Sequence, residues 1–213
     1  MRKIDKTKIL SHQYKEWEEE FAKRQQIHEE YNSSHNNHYI DVVMNLLHVQ
    51  KGLCAYTERR LCKPDLLDEK NWISGKYNNR HPEILGQLDH FDPKLKKESG
   101  WLWDNFFFID TDINTKVKGK KEVDYILKPD TNEYEVNKLL EYDRESHLFV
   151  PHSDLDDKTQ ARIKNMILKL GINFDAVVDA RKEYLEDKLA QKRFRLDPKI
   201  NQYYSAFSMC SKF

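Results

Sequence analysis

The chain has 213 residues, with 36 Lys and Arg against 36 Asp and Glu, and 38% of it is hydrophobic. Zero formal charge excludes a nucleic-acid coat that binds by bulk basic excess, because phosphate neutralisation supplies most of such affinity. Six Gly and six Pro exclude a low-complexity chain, and 11 Tyr, 10 Phe and 4 Trp supply the large side chains that a core in so polar a chain needs.

Residues 11–31 have a helical composition with Ser11 as the cap, and residues 37–51 place Ile40, Val43, Met44, Leu47 and Val49 near helical spacing, with Gly52 just past the end. Residues 63–83, interrupted by Pro64, Gly75, Asn78, Asn79 and Pro82, read as loop. Ile84–Phe91 reads as a short extended stretch stopped by Pro93, and Phe106–Ile109 as a buried strand. Residues 110–121 begin with aspartates and continue as a lysine-rich turn or short helix. A helix then follows Asp154, Asp156 and Asp157 through Ile163, Met166, Ile167 and Leu170 to Gly171, and another runs from Asn173 or Asp175 to Leu189. Residues 199–213 read as a tail that packs back on the body. Without repeat or linker, residues 1–213 form a single domain: helices over 1–52, a central part over 53–125 and a helical part over 126–213.

Three cysteines, Cys54, Cys62 and Cys210, are too few for a disulfide framework. The charged start Met1–Lys6 and the lack of any membrane-length apolar run predict a cytoplasmic protein that meets no membrane.

The chemistry concentrates in Leu88-Asp89-His90-Phe91, Trp103-Asp104-Asn105-Phe106 and Asp112-Ile113-Asn114. A histidine whose ordinary pKa lies near neutrality suits a base that takes a proton from water. A carboxylate and an amide oxygen suit a hard divalent ion, which fills its other positions with water or substrate oxygens. In a regular strand Asp89 and His90 point to opposite faces.

The order Asp-His, Asn, Asn resembles the HNH motif. The resemblance implies an α+β fold, a small ββα-metal core embedded in several α-helices. It implies His90 as general base, Asn105 bracing the loop that bears it, and Asp89 and Asn114 as ligands of Mg²⁺ or Mn²⁺. The basic cluster Lys116, Lys118, Lys120 and Lys121 would hold substrate phosphates. The family's lysine three residues after the metal-binding Asn is absent, since that position is Val117.

A wider set of words resembles the PtuB-like branch of HNH proteins, the nuclease subunit of Septu and some retron anti-phage systems. They are Gly52-Leu53-Cys54-Ala55-Tyr56-Thr57-Glu58, Leu88 to Lys94, Trp103-Asp104-Asn105, Ile126-Leu127-Lys128-Pro129-Asp130, Ile163, Leu170-Gly171-Ile172-Asn173 and Arg181. This implies a PtuA-like ATPase partner and hydrolysis of nucleic-acid phosphodiesters, with DNA favoured and RNA, including tRNA, as the other substrate. That branch carries a four-cysteine zinc knuckle. Here Thr57, Asp110 and Ile113 stand at three of its positions, so no structural zinc is expected. Tyr56 and the Phe106–Ile109 run are expected to close that space by apolar packing.

The other readings are a non-catalytic adaptor on an eroded HNH scaffold and a stand-alone HNH restriction-type enzyme. His28, His35, His38 and His48 lack a ligand pattern and read as surface or core histidines, His147 and His152 as loop residues, and Cys54 as a small buried hydrophobe.

Overall fold

The computed structural model describes residues 1–24, 31–34, 37–78 and 82–211. Residues 25–30 of the first expected helix, with His28, lie outside them, as does His35.

The core forms around one helix, α2 (Tyr39–Val49), whose Val42, Val43, Met44, Leu46 and Leu47 are all inaccessible to solvent. A helix buried on every side must also satisfy its polar residues. Asp41 accepts hydrogen bonds from Ser11 Oγ (2.9 Å) and the Tyr77 amide (2.8 Å), and Asn45 accepts from the Leu10 amide. Ser11 also caps α1 (His12–Arg24), accepting from the Tyr14 amide at 3.2 Å. The expected loop over 63–83 contains a two-residue hairpin, β1 (Trp72–Ile73) with β2 (Lys76–Tyr77), which Asp41 ties to α2.

The centre of the fold is an antiparallel pair, β3 (Gln87–His90) and β4 (Phe106–Ile109), in which Asp89 faces Phe107 and His90 faces Phe106. The expected extended stretch from residue 84 shortens to 87–90, because Ile84 bridges to Cys62 and Gly86 lies too close to Ile109 O for a side chain. All four β4 residues are fully buried, so the far edge of β4 needs partners for its polar groups. The Gln50 side chain supplies two of them, accepting from the Phe108 amide at 2.9 Å and donating to its carbonyl at 2.7 Å. Lys6 supplies another, donating to Phe106 O at 2.8 Å beside Asp130 at 3.0 Å. Lys128, which bonds the other oxygen of Asp130, completes a buried cluster that fastens the 126–130 segment under β4.

After β4 the chain makes a π-helical turn, Ile113–Lys118. The part expected to be helical over 126–213 also carries a hairpin, β5 (Leu140–Asp143) with β6 (Leu148–Pro151), led in by the single turn α3 (Val136–Leu139). Its helices are α4 (Asp157–Lys169), α5 (Asp175–Arg193) and α6 (Tyr204–Cys210). Arg181 of α5 is wholly buried and donates to the carbonyls of Ile172 (3.0 Å) and His147 (2.7 Å), so it joins hairpin to helices and faces no solvent. None of the described helices is long and apolar enough to cross a membrane.

Gly171, at the end of α4, has φ +65°, and a Cβ there would lie 2.7 Å from Cδ1 of Ile113 in the π-helical turn. Gly171→Ala therefore adds backbone strain to overpacking, and is expected to cost about 2 kcal/mol in urea denaturation.

Candidate active site

Leu88, Asp89 and His90 all line one cavity of about 880 Å³. β3 pairs with β4 alone, which leaves its other edge without a strand partner. Asn114, Gly119 and Lys120 line it from the side of the π-helical turn, and Tyr31, Lys94, Lys96 and Lys97 from the other side.

Gln87 and Asp89 share a strand face, and Asn114 and Lys118 are four apart on the turn, so each pair meets its counterpart. Asn114 Nδ2 donates to Gln87 Oε1 at 3.1 Å, and Lys118 Nζ donates to Asp89 Oδ1 at 3.0 Å and to His90 O at 2.8 Å. Asp89 Oδ2 accepts from the Tyr56 hydroxyl at 2.6 Å. Asp89 is 4% exposed, and burial raises its pKa to about 6, against the opposing pull of Lys118 and the Tyr56 hydrogen bond.

His90 Nε2 lies 2.8 Å from the Gly100 carbonyl oxygen. A carbonyl only accepts, so Nε2 carries the proton and Nδ1 keeps its lone pair. Burial lowers the His90 pKa to about 4, and the nearby Lys96 and Lys118 charges act in the same direction. The ring is fixed edge-on to Tyr31 (4.7 Å between centroids) and against Phe106 (4.9 Å).

Asn105 clamps the chain just beyond His90. Its Oδ1 accepts from the Asp92 amide at 2.8 Å, its Nδ2 donates to the Asp92 carbonyl at 2.9 Å, and its carbonyl accepts from the Phe91 amide at 2.8 Å. Asp89, His90 and Asn114 thus border one cavity, while Asn105, 2% exposed, lies behind it.

Of the lysines expected to bind phosphate, Lys118 is corrected outright. It has no exposed surface and is paired with Asp89, so it cannot meet a substrate from solution. Lys116 is exposed and paired with Asp112 at 2.9 Å; neither it nor Lys121 borders the cavity, which leaves Lys120 of the four. The π-helical turn carries an extra residue, and its inward lysine falls four positions after Asn114. Sequence reasoning also missed Gly100 and Tyr31, which carry no local pattern, and gave Tyr56 an apolar role where its hydroxyl holds Asp89.

Three of the residues expected in place of a zinc knuckle, Cys54, Thr57 and Asp110, come together. Cys54 Sγ accepts from the Asp110 amide at 3.4 Å and interacts with the Thr57 hydroxyl, while Ile113 is fully buried. Burial raises the Cys54 pKa, so the group is a thiol held by hydrogen bonds. Arg59 closes the outer side through an ion pair with Asp110 at 2.9 Å.

A divalent ion is compatible with the donors at the cavity. Each Asp89 oxygen spends one lone pair on its partner and keeps another, and Asn114 engages its amide nitrogen with Gln87. Two oxygen donors suit a Mg²⁺-class ion that retains several waters. Among the described residues no three His, Cys, Asp or Glu side chains gather as a metal cage. Compared with known proteins, the chain matches no family model and no curated protein.

Proposed function

We propose that the protein is an HNH-type, metal-dependent endonuclease that hydrolyses nucleic-acid phosphodiesters at this cavity. The observation that carries the reading is that a strand edge and the following turn bring Asp89, His90 and Asn114 to one cavity, with Asn105 clamping the chain beside His90. Asp89 and Asn114 would hold the ion, which when bound supplies Lewis acidity toward the phosphate and leaving oxygens. His90, neutral and with Nδ1 available, takes the proton from water. Lys118 and Tyr56 keep the Asp89 carboxylate in place, and Gly100 fixes the His90 tautomer. DNA is the favoured substrate and RNA the other. An ATPase subunit and a role in anti-phage defence belong to this proposal on the strength of the PtuB-like sequence words.

The test is incubation of purified protein, alone and with a candidate ATPase subunit, with single-stranded DNA, plasmid DNA and tRNA in Mg²⁺ or Mn²⁺. Cutting that disappears in EDTA and in His90→Ala supports the nuclease. One observation favours a second reading, a non-catalytic binding subunit: the predicted ligand Asp89 already has a buried ammonium as counter-ion. Under that reading no condition yields cutting and the partner is still bound.

A further inference from the structure

The chain as a whole is uncharged, yet the cavity is not. Four lysines border it, Lys94, Lys96, Lys97 and Lys120, against the two acids Asp89 and Glu122. Both acids already have cations. Lys118 pairs with Asp89 at 3.0 Å, and Lys94 with Glu122 at 2.7 Å. Among the described residues Lys96, Lys97 and Lys120 make no ion pair, and all three are exposed. Lys96 Nζ lies 4.9 Å from the centroid of the Tyr31 ring, which itself packs on His90.

The three lysines stand on two walls. Lys96 and Lys97 lie on the turn after β3, anchored at Asp92 by Asn105, and Lys120 follows the π-helical turn. Asp89 and His90 line the same cavity and are recessed, only 4% and 6% exposed. A duplex is stiff and presents a convex surface, so it meets recessed groups less readily than a flexible single strand does. The backbone of a single strand can bend into a space of about 880 Å³, the size of a pocket for one small ligand.

Resting on the nuclease reading, we propose that Lys96, Lys97 and Lys120 form a two-walled phosphate clamp that admits a single-stranded polynucleotide. One wall takes the phosphates on one side of the scissile bond and Lys120 takes those on the other. The charge pattern does not separate single-stranded DNA from RNA, which share the phosphate backbone.

Binding of a fluorescein-labelled 12-nucleotide strand, as DNA and as RNA, is measured by anisotropy on metal-free protein in EDTA, between 50 and 200 mM KCl. Each neutralised phosphate on a single strand contributes about 0.7 to the slope of log affinity against log salt. The triple variant Lys96→Ala, Lys97→Ala, Lys120→Ala is expected to flatten the slope by about 2, because it lacks three phosphate contacts. A control triple at the exposed Lys138, Lys158 and Lys182 is expected to change it far less. Wild-type protein is expected to bind the strand more tightly than a duplex of the same sequence. Equal slopes for wild type and the first triple, equal flattening by both triples, or a duplex bound as tightly as the strand would overturn the clamp. A strand bound through these lysines but never cut in Mg²⁺ or Mn²⁺ upholds the clamp and ends the nuclease reading. Metal-dependent cutting with no change of slope in the first triple does the reverse.

Discussion

Replacement of Lys118 by methionine is expected to destabilise the protein by about 3–5 kcal/mol, the usual cost of removing one partner from a buried ion pair. Lys118 is wholly inaccessible and Asp89 4% exposed, so neither can turn to water when the other is lost. Lys118 also donates to the His90 carbonyl, which the thioether cannot replace. The double variant Asp89→Asn with Lys118→Met removes both charges, and is expected to recover most of the loss. Urea denaturation of the two single variants and the double variant at pH 8 isolates the coupling between the two residues. A Lys118→Met protein within about 1 kcal/mol of wild type, outside the range for such pairs, would show that the ammonium is solvated and not paired as described.

His90→Ala is expected to lower cleavage by about 10²–10⁴-fold, the span of a lost general base, while leaving the fold intact. The pH profile is part of the same expectation. His90 is neutral above about pH 4. Cleavage at saturating metal should therefore stay level between about pH 6 and pH 8, without the inflection near 6.5 of an ordinary histidine. Residual activity in His90→Ala above a tenth of wild type would remove the imidazole from the reaction.

Stability carries the same two groups with opposite signs. His90 has an ordinary pKa of 6.5 and about 4 in the fold, so between those values the unfolded chain binds more protons and stability rises with pH. Asp89 moves from 3.8 to about 6, so the folded protein binds more protons and stability falls as pH rises over that interval. The two slopes nearly cancel in the wild-type protein. His90→Asn leaves only that of Asp89. Between pH 4 and 6.5 the stability of the variant relative to wild type is expected to fall by roughly 3 kcal/mol. A parallel pair of stability curves would show that His90 is hydrated in the fold.

The helices and the strand at the site were legible where a period or an apolar run was long enough. α2, α4 and α5 follow their apolar spacing, and Phe106–Ile109 is a strand because four large side chains need burial on both faces. The β5–β6 hairpin was not legible. Its connection, Arg144-Glu145-Ser146-His147, has no glycine or asparagine, and the positive φ of +57° falls on His147. The hairpin β1–β2 is too short to show an alternation.

At the site, the resemblance to the HNH motif singled out Asp89, His90, Asn105 and Asn114, and three of them border one cavity. The fate of the lysines could not be read in this way. Lys116, Lys118, Lys120 and Lys121 look alike in sequence, and only their register on the turn separates the one beneath Asp89 from those in solvent. The π-helical turn shifts that register by a residue, which no local composition signals. Burial of Lys6 and Lys128 was hidden for a similar reason, since Asp130 and the β4 carbonyl that hold them come from distant segments.

Crystals grown in Mn²⁺ and measured for anomalous scattering reveal whether Asp89 and Asn114 hold a divalent ion beside His90. A single strong peak is expected within bonding distance of the carboxylate oxygen of Asp89 and the amide oxygen of Asn114. Saturating Mn²⁺ with no peak in the cavity, and Lys118 still seated on Asp89, would contradict it.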